Sequence, residues 1–365
     1  IIGRPGINTQ IIIERSVWIM ESSAAIYCTA TQHFLQKFDL HWNRVLNELG
    51  SHQAQLVSGN RLRPQICLWG YLSTISPCDV LIHDYDQIAN IAVSIELVHK
   101  ASLLLDDWID GDKERHGHPA FHAEHTPQYA VLFALNLIGL SMLRLENIFP
   151  NSLVLPQHYN LCLNTLIKTI CSMAKGAAEE LELQKSEFFD NEKIREIVQL
   201  ETAEILGNSM LIGYYAGVGN NRDIQVETIF KKLGDQCGYL FQALNDIEAF
   251  ENPQQLKKHK GTVNFDLFSG RKNLAISALY QVASKKDQVL LRNANEVELL
   301  ELMRKYHIVE TFRLELSVVY NDILSASTML QSIGLPADWC KSFRRFLMQV
   351  KEYAEARLSE PGYIV

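Results

Sequence analysis

The chain has 365 residues, 47% of them hydrophobic and 21% charged, which is enough apolar material for a sizeable core and excludes a disordered chain. Its formal net charge of -8 and its dispersed lysines and arginines argue against a nucleic-acid partner, so an anionic substrate would need metal ions or local cations. Seven cysteines without a CxxC pair argue against a zinc site and fit thiols in a reducing compartment, so we expect a cytoplasmic protein.

The N-terminal residues carry little information about function. The first methionine is Met20, and we treat residues 1–20 as an N-terminal extension and 21–365 as a single domain. Glu14 and Arg15 interrupt the apolar residues near this end, far short of the ~20 residues that span a bilayer. The sequence therefore predicts no transmembrane helix.

Apolar residues recur with helical spacing along nearly all of the remaining chain, and clusters of Gly, Pro, Asn and Asp separate the helical stretches. Residues 129–149 and 158–175 are apolar nearly all round, which predicts helices at the centre of a bundle. The fold class is therefore all-α. Breaks are predicted near residues 51–60, 76–86, 111–126, 149–156, 188–191, 217–223, 252–266 and 334–338.

A basic element comes first among the candidate functional segments. Residues 58–64 read SGNRLRP, which places Arg61 and Arg63 beside a break and directly before an apolar helix. Two cations at such a break are a modest signal for anion binding.

The most informative segment is 96–122, in which Asp106, Asp107 and Asp110 end an apolar helical stretch. Asp106 and Asp110 share a helix face, whereas Asp107 lies about 100° round. Like charges on one face repel, so a cation between them would stabilise the arrangement, and Mg²⁺ is usually held by one or two carboxylates with substrate phosphate. A solvated acidic helix end is the alternative, and the apolar residues before Asp106 disfavour it.

A second acidic segment, 238–251, reads GYLFQALNDIEAFE and contains Asp246, Glu248 and Glu251 beside Asn245. If both acidic segments face one cavity of the bundle, they can clamp a metal-bound diphosphate from opposite walls. Taken alone, this segment is more typical of a solvated helix end.

Several cations follow in the loop-like segment 257–272. Cations on a mobile loop can close over phosphate oxygens and exclude water, although an ordinary basic surface loop has the same composition. They are Lys257, Lys258, Lys260, Arg271 and Lys272.

In their order along the chain, these elements resemble the motifs of the trans-isoprenyl diphosphate synthases, or polyprenyl synthetases, from about Met20 onward. Members of that family commonly read GGKRLRP, then EL(I/V)HTASL(I/V)HDDxxD and RRGxPxxH, and much later FQxxDDxLD and a lysine-containing loop. This chain reads SGNRLRP, ELVHKASLLLDDWID, ERHGHPAFH, FQALNDIEA and KGTVNFDLFSGRKN in the same slots. Chance agreement of all these elements in order is not expected.

The resemblance implies an all-α bundle of about a dozen helices around a central cavity, usually a homodimer. It implies that Mg²⁺ holds an allylic prenyl diphosphate, which condenses with isopentenyl diphosphate. Asp106 and Asp110 would coordinate the metal, with support from Asp107 and from Asp246 of the later motif.

The substrate-binding roles come from the same resemblance. Arg115 would contact the allylic diphosphate, and Lys260 and Gln242 would assist it. Isopentenyl diphosphate would bind to Arg63 and His99, with Arg61 beside them. The implied catalytic set is Asp106, Asp110, Arg115 and Lys260.

Departures from the family pattern weaken part of this expectation. Asn60 and His116 stand where the family has a lysine and an arginine that hold isopentenyl diphosphate. Glu201 replaces a lysine that contacts the allylic diphosphate, and Asn245 and Ala249 replace two of three aspartates. Each lost charged hydrogen bond costs about 1.5–3 kcal/mol, so we expect the allylic site to survive better than the acceptor site.

This asymmetry leaves other functions open. The prenyl cation could pass to a non-standard acceptor such as a peptide, or to the substrate's own alkene as in a terpene synthase. The terpene-synthase pattern NDxxSxxxE fails here, since Ala249 and Pro253 occupy its serine and glutamate positions. A regulatory, non-catalytic subunit is a third hypothesis, which the intact DDWID and Arg115 disfavour.

The residues before the aspartates predict the length of the product. Ala101 and Ser102 lie five and four positions before Asp106, where short-chain members of the family often carry aromatic residues. Small residues leave the floor below the first motif open. By this resemblance, we expect a product of twenty carbons or longer.

Overall fold

The computed structural model describes residues 9–50, 54–57, 59–115, 118–148, 156–186, 190–251, 272–292 and 294–359. Within these ranges the only regular structure besides helices is one two-stranded hairpin, so the predicted all-α class is confirmed. The elements are α1 (Thr9–Leu49), α2 (Ala54–Val57), α3 (Leu62–Leu72), α4 (Asp86–Asp110), β1 (Glu114–Arg115), β2 (His118–Pro119), α5 (Phe121–Glu124), α6 (Pro127–Ile148), α7 (Pro156–Lys185), α8 (Asn191–Val198), a π-helical segment (Gln199–Ala203), α9 (Glu204–Gly217), α10 (Ile224–Glu251), α11 (Leu274–Val282), α12 (Lys285–Leu291), α13 (Glu296–Lys305), α14 (Ile308–Ser332) and α15 (Ala337–Ser359).

Helix α9 lies at the centre of the bundle. Every residue from Ile205 to Ala216 is buried, because α3, α7 and α10 pack around this helix. The contact with α3 is close enough to require glycine on both helices. A Cβ on Gly70 would collide with the carbonyl oxygen of Met210, and one on Gly213 with that of Cys67. The absence of side chains at these positions thus fixes how closely the two helices approach.

Helix α4 packs against α6, α1 and α3, and it is the second central helix. Its residues from Ile88 to Ala101 are almost all buried, as the apolar sequence predicted. Asp106, Asp107 and Asp110 occupy its C-terminal turn, so the core of the bundle holds the backbone that carries them.

Helix α6 has one buried and one exposed apolar side. Leu132, Leu135 and Leu143 are 62%, 58% and 53% exposed. The prediction that residues 129–149 form an enclosed central helix is therefore wrong. Helix α7 is not enclosed either, since Cys171 and Ile167 on it are exposed. Uniform apolarity looks the same in sequence whether a helix is covered by its own chain or by something else.

By length and composition alone, both α4 and α6 could cross a membrane. The most apolar stretch of α4 is 72% buried among other helices, whereas that of α6 is only 33% buried. The composition of α4 is therefore that of a core helix. For α6, the absence of a membrane span stays a prediction.

Two smaller predictions can be compared with the structure. Helix α1 runs from Thr9 through residue 20, so no element ends at the proposed boundary of the N-terminal extension. All seven cysteines are free thiols, and Cys67, Cys162, Cys237 and Cys340 are buried, which agrees with the absence of a disulfide pattern in the sequence.

Candidate active site

The C-terminal turn of α4 carries the first group of functional side chains. The helix ends at Gly111, which adopts the left-handed conformation with φ 69°, and the chain then turns back through the β1–β2 hairpin. Arg115 pairs with His118 in this hairpin, and the amide of Ala120 donates to the carbonyl oxygen of Lys113 at 2.8 Å. The turn returns Arg115 to the aspartates of α4.

Arg115 binds the aspartates directly. Its Nε donates to Oδ1 and Oδ2 of Asp107 at 2.6 and 2.8 Å, and its Nη2 donates to Oδ2 of Asp106 at 3.3 Å. Asp107 is buried, whereas the side chain of Asp106 is 50% exposed. We name Asp106, Asp107, Asp110 and Arg115 the aspartate cluster. Asp107 therefore holds Arg115 next to Asp106, and its support of the metal ligands stays a prediction.

Charge and burial oppose each other in this cluster. Burial raises the pKa of Asp107 above its ordinary value, while the hydrogen bonds from Arg115 act in the other direction. Burial also works against the charge of Arg115, but its bonds to Asp107 and the nearby Asp106 and Asp112 raise its pKa. The guanidinium therefore stays charged and faces the exposed Asp106.

The donor set fits a magnesium ion. In the described part of the chain, no group of three His, Cys, Asp or Glu side chains forms a ready cage for a metal. Mg²⁺ does not need such a cage, because one or two carboxylates hold it while waters and substrate phosphate complete its six ligands. Asp106 and Asp110 offer only oxygen ligands, and Arg115 lies beside Asp106.

The second group of side chains lies about two turns earlier on α4. Arg61 precedes α3 in the left-handed conformation with φ 55°, which is uncommon for a residue other than glycine. Its Nη1 donates to Oε1 of Glu96 at 3.0 Å, and its guanidinium lies 5.0 Å from the ring centre of Trp42. Arg61 is thus held by α1 and α4 together.

Arg63 and His99 contact each other across α3 and α4. Nη1 of Arg63 lies 3.0 Å from Nε2 of His99. Because arginine can only donate, Nε2 accepts, which assigns the ring proton to Nδ1. Burial, with the charge of Arg63 adding to it, lowers the pKa of His99 well below its ordinary value. Burial also lowers the pKa of Arg63 to about 10.

Sequence reasoning passed over Lys100 and Glu96, which complete this second group. Both side chains are 3% exposed, and Nζ of Lys100 lies 3.8 Å from Oε1 of Glu96. Burial lowers the pKa of Lys100 to about 8. The signal was present in the sequence, since HKASL has a lysine where the family pattern has threonine. We name Arg61, Arg63, Glu96, His99 and Lys100 the basic cluster.

Glu201, which reverses a charge in the family pattern, lies in the π-helical segment between α8 and α9. Burial, together with the nearby Glu180 and Asp106, raises its pKa to about 9. The side chain is therefore a neutral carboxylic acid at pH 7. Its closeness to Asp106 places the π-helical segment beside the aspartate cluster, as the resemblance implied for this position.

The second acidic motif is bound by protein groups. Oδ1 of Asp246 accepts from Nε2 of Gln242 at 2.8 Å, and Oδ2 accepts from the amide of Leu274 at 2.8 Å. Oε1 of Gln242 accepts from Oγ1 of Thr202 at 3.3 Å, next to Glu201. Asp246 thus holds the first amide of α11, and its role as a metal ligand stays a prediction.

The basic segment is described only in its last residue, Lys272. Nζ of Lys272 donates to the carbonyl oxygens of Leu183, Gln184 and Ser186 at 2.7, 3.1 and 2.6 Å. This ammonium binds the C-terminal end of α7, not a substrate phosphate. Lys257, Lys258, Lys260 and Arg271 lie outside the described residues, as does His116.

The bundle resembles solved structures along nearly its whole length. It matches the geranylgeranyl pyrophosphate synthetase of Pyrococcus horikoshii with a TM-score of 0.70 and 20% identity, covering 95% of this chain and 100% of that one. A geranylgeranyl pyrophosphate synthase of Corynebacterium glutamicum, solved with isoprenyl diphosphate and magnesium, gives 0.68 and 14%, covering 92% and 98%. These matches define the class of fold, an isoprenyl synthase bundle.

Sequence comparison agrees with the class. The chain is 27% identical over 213 residues to geranylgeranyl pyrophosphate synthase 12 of Arabidopsis thaliana, covering 56% of each chain. It is 26% identical over 255 residues to the geranylfarnesyl diphosphate synthase of Methanosarcina mazei, covering 70% of this chain and 76% of the relative. The family model described as polyprenyl synthetase matches residues 44–308. The chain belongs to the polyprenyl synthetase family, and the resemblance of its motifs is confirmed.

Proposed function

We propose that this protein is a magnesium-dependent prenyltransferase that joins an allylic prenyl diphosphate to isopentenyl diphosphate and releases a polyprenyl diphosphate. The observation that carries the proposal is the spacing of two anion-binding groups along α4. His99 of the basic cluster and Asp106 of the aspartate cluster are about 10 Å apart along the helix axis. This separation suits two diphosphates that must bind side by side.

In this proposal Asp106 and Asp110 hold the magnesium, and the ion supplies charge that stabilises the departing diphosphate. The fit rests on the oxygen donors of the cluster and on the exposure of Asp106. The related Corynebacterium glutamicum structure, which contains isoprenyl diphosphate and magnesium, supports the same choice of metal. Asp107 acts through Arg115, whose position it fixes.

The chain's own residues act on both sides of the reacting carbons. Arg115 binds the oxygens of the allylic diphosphate as the bond from carbon to oxygen breaks and the electron pair leaves with diphosphate. The alkene of isopentenyl diphosphate then forms a bond to the allylic carbon, and a proton is lost to the released diphosphate. Arg63 and the neutral His99 position the acceptor, and the buried residues of α4 help to exclude water from the cation.

The product is proposed to have twenty carbons or more. Ala101 is fully buried, and Ser102 turns its hydroxyl to the carbonyl oxygen of His99 at 2.8 Å. Neither side chain is bulky. The relatives named geranylgeranyl and geranylfarnesyl diphosphate synthases support the same range.

We also propose that the protein is a homodimer that pairs through the exposed side of α6. Leu132, Leu135 and Leu143 form an apolar stripe on a helix whose other side packs on α4. An exposed stripe of large apolar side chains is typical of a protein interface.

The test is product analysis with purified protein. With Mg²⁺, farnesyl or geranylgeranyl diphosphate and labelled isopentenyl diphosphate, the label should appear in a longer prenyl diphosphate resolved by chromatography. A product of only ten or fifteen carbons would contradict the proposed length. Diphosphate release without incorporation of the label would contradict condensation.

The alternative functions gain no support. A peptide acceptor, a cyclisation or a silent subunit was suggested by apparent damage to the acceptor site, at Asn60 and His116. The basic cluster nevertheless retains Arg61, Arg63 and His99, and Lys100 adds a cation. The loss of cations at two motif positions is therefore a weaker argument for an acceptor other than isopentenyl diphosphate once the structure is known.

A further inference from the structure

Position 60 does not deliver a cation to the basic cluster. Asn60 is exposed, and its Oδ1 accepts from the amide of Leu62 at 3.2 Å. The side chain thus turns back onto its own backbone just before α3. The lysine of the family pattern is missing here, and the residue in its place does not reach toward α4.

Lys100 brings an ammonium to the same loop from the opposite side. It follows His99 on α4, and its side chain is 3% exposed. A Cβ built on Gly59 would lie 3.3 Å from its Nζ, so the ammonium lies against the residue that precedes Asn60. The family pattern has threonine at this position of α4, and threonine is too short to make this contact. The cation that position 60 lacks is therefore replaced close by, by the ammonium of Lys100.

The cluster holds more cations than carboxylates. Arg61 and Lys100 lie 3.0 and 3.8 Å from the carboxylate of Glu96, whose charge also acts on Arg63. Nε of Arg63 is buried without a hydrogen-bond partner among the described residues. The lowered pKa of Lys100, about 8, has burial as its first cause, and Arg61, Arg63 and Arg115 add to it. Buried cations in excess are unfavourable until a negative group joins them. A diphosphate provides that charge together with several acceptor oxygens.

Glu96 alone does not explain the burial of Lys100. Glu96 already has Arg61 at 3.0 Å, which is closer than Lys100 at 3.8 Å. Burying a second cation for the same carboxylate would cost free energy and gain little.

We propose that Lys100 binds the diphosphate of the acceptor substrate, and so supplies from α4 the positive charge that the loop residue Asn60 lacks. The proposal rests on the proposed function, because it assumes that a second diphosphate binds at the basic cluster. It makes Lys100 a specificity-determining residue that the family motif does not contain.

The first test exchanges the two positions. Lys100→Thr should raise the KM for isopentenyl diphosphate roughly 10- to 100-fold, since one charged hydrogen bond is lost, and leave the KM for the allylic diphosphate within about twofold. Asn60→Lys in the Lys100→Thr background should restore most of the loss. Lys168→Thr, which removes an exposed lysine from α7, is the control. An unchanged KM for isopentenyl diphosphate in Lys100→Thr would overturn the proposal.

The second test measures binding without turnover. The basic cluster would bind a diphosphate through its cations and not through a metal ion, since its sole carboxylate, Glu96, is held by Arg61. Isopentenyl diphosphate should therefore bind there in the presence of EDTA. By calorimetry, Lys100→Thr and Lys100→Met should both weaken this binding at least about tenfold. Lys100→Met keeps the aliphatic stem and covers the case in which the threonine variant does not fold. Equal binding by Lys100→Met and the unsubstituted protein would overturn the proposal.

The two failures can be told apart. If the unsubstituted protein binds isopentenyl diphosphate through Lys100 but incorporates none of it, the inference stands and the proposed condensation is wrong. If it incorporates isopentenyl units and Lys100→Met does so with the same KM, the condensation stands and the inference is wrong.

Discussion

Burial decides which acidic residues of this protein carry charge. Glu201 reads in sequence as a reversed charge, yet its carboxyl group is neutral at pH 7 because it lies in a buried position near Glu180 and Asp106. Asp107 is more completely buried but is bound by Arg115, which favours its ionised form. The same type of side chain therefore has opposite roles on two sides of one site.

The neutral state of Glu201 predicts a pH dependence of stability. Its pKa is about 9 in the folded protein against an ordinary value of 4.5, so the folded state holds a proton that the unfolded state releases. The stability that this proton contributes is complete below pH 4.5 and is lost as the pH rises toward 9. Because unfolding releases one proton within this window, the free energy of unfolding falls by about 1.4 kcal/mol for each pH unit.

Glu201→Gln should remove this slope, which denaturant unfolding in EDTA at several pH values would measure. The amide keeps the shape of the neutral acid, so the two proteins should differ most at pH 8 to 9, where the variant is the more stable. Parallel pH profiles for the two proteins would show that Glu201 is ionised in the folded state.

Asp106 and Asp107 should respond differently to substitution. Asp106→Asn should reduce turnover by at least roughly 100-fold through the loss of a metal ligand, with little change in stability, because the side chain is half exposed. Asp107→Asn should cost about 2–4 kcal/mol of stability, because the buried Arg115 loses its closest carboxylate and keeps only the longer contact with the half-exposed Asp106. Diphosphate release and denaturant unfolding of both variants would check this, and equal stability losses would contradict the assignment.

At the scale of elements, the ends and irregularities of helices carry the site. Helix α4 carries the aspartates at its C-terminal turn, and the π-helical segment places Glu201 near Asp106 and Thr202 against Gln242. Lys272 holds the C-terminal end of α7, and Asp246 holds the N-terminal end of α11. Motif residues that resembled substrate ligands in the sequence thus also fix the helices around the site.

Lys272→Met should destabilise the protein by about 2–3 kcal/mol, because three carbonyl groups at the end of α7 lose a charged donor. Lys286→Met, at an exposed position of α12, should stay within about 0.5 kcal/mol of the unsubstituted protein. Chemical denaturation of both variants gives the comparison. If Lys272→Met is as stable as the control, the ammonium has no structural role.

The whole molecule is organised around α9 and α4, and it leaves one apolar side uncovered on α6. The sequence could not distinguish α6 from an enclosed helix. Apolar residues indicate that a helix face is shielded from water, but they do not indicate which surface shields it. In the proposed dimer, a second copy of the chain covers the exposed leucines of α6.

Leu132→Glu combined with Leu135→Glu should convert the proposed dimer to a monomer, since charged groups would enter the apolar contact. Sedimentation or light scattering would measure the mass. Leu314→Glu, which changes an exposed leucine of α14, is the matched control and should leave the dimer intact. A monomeric unsubstituted protein would refute the dimer, and a dimer that survives both glutamates would place its interface elsewhere.

The sequence alone determined the all-α class, the helix that carries DDWID and the family, because helical periodicity and motif order are local properties of the chain. The tertiary structure decided the rest. The neutral state of Glu201, the pairing of Arg115 with Asp107, the contact of Lys100 with Gly59 and the exposure of α6 all depend on how different elements of the fold pack together. Burial and electrostatic pairing arise from the packing of these elements, and the spacing of residues along the chain does not encode it.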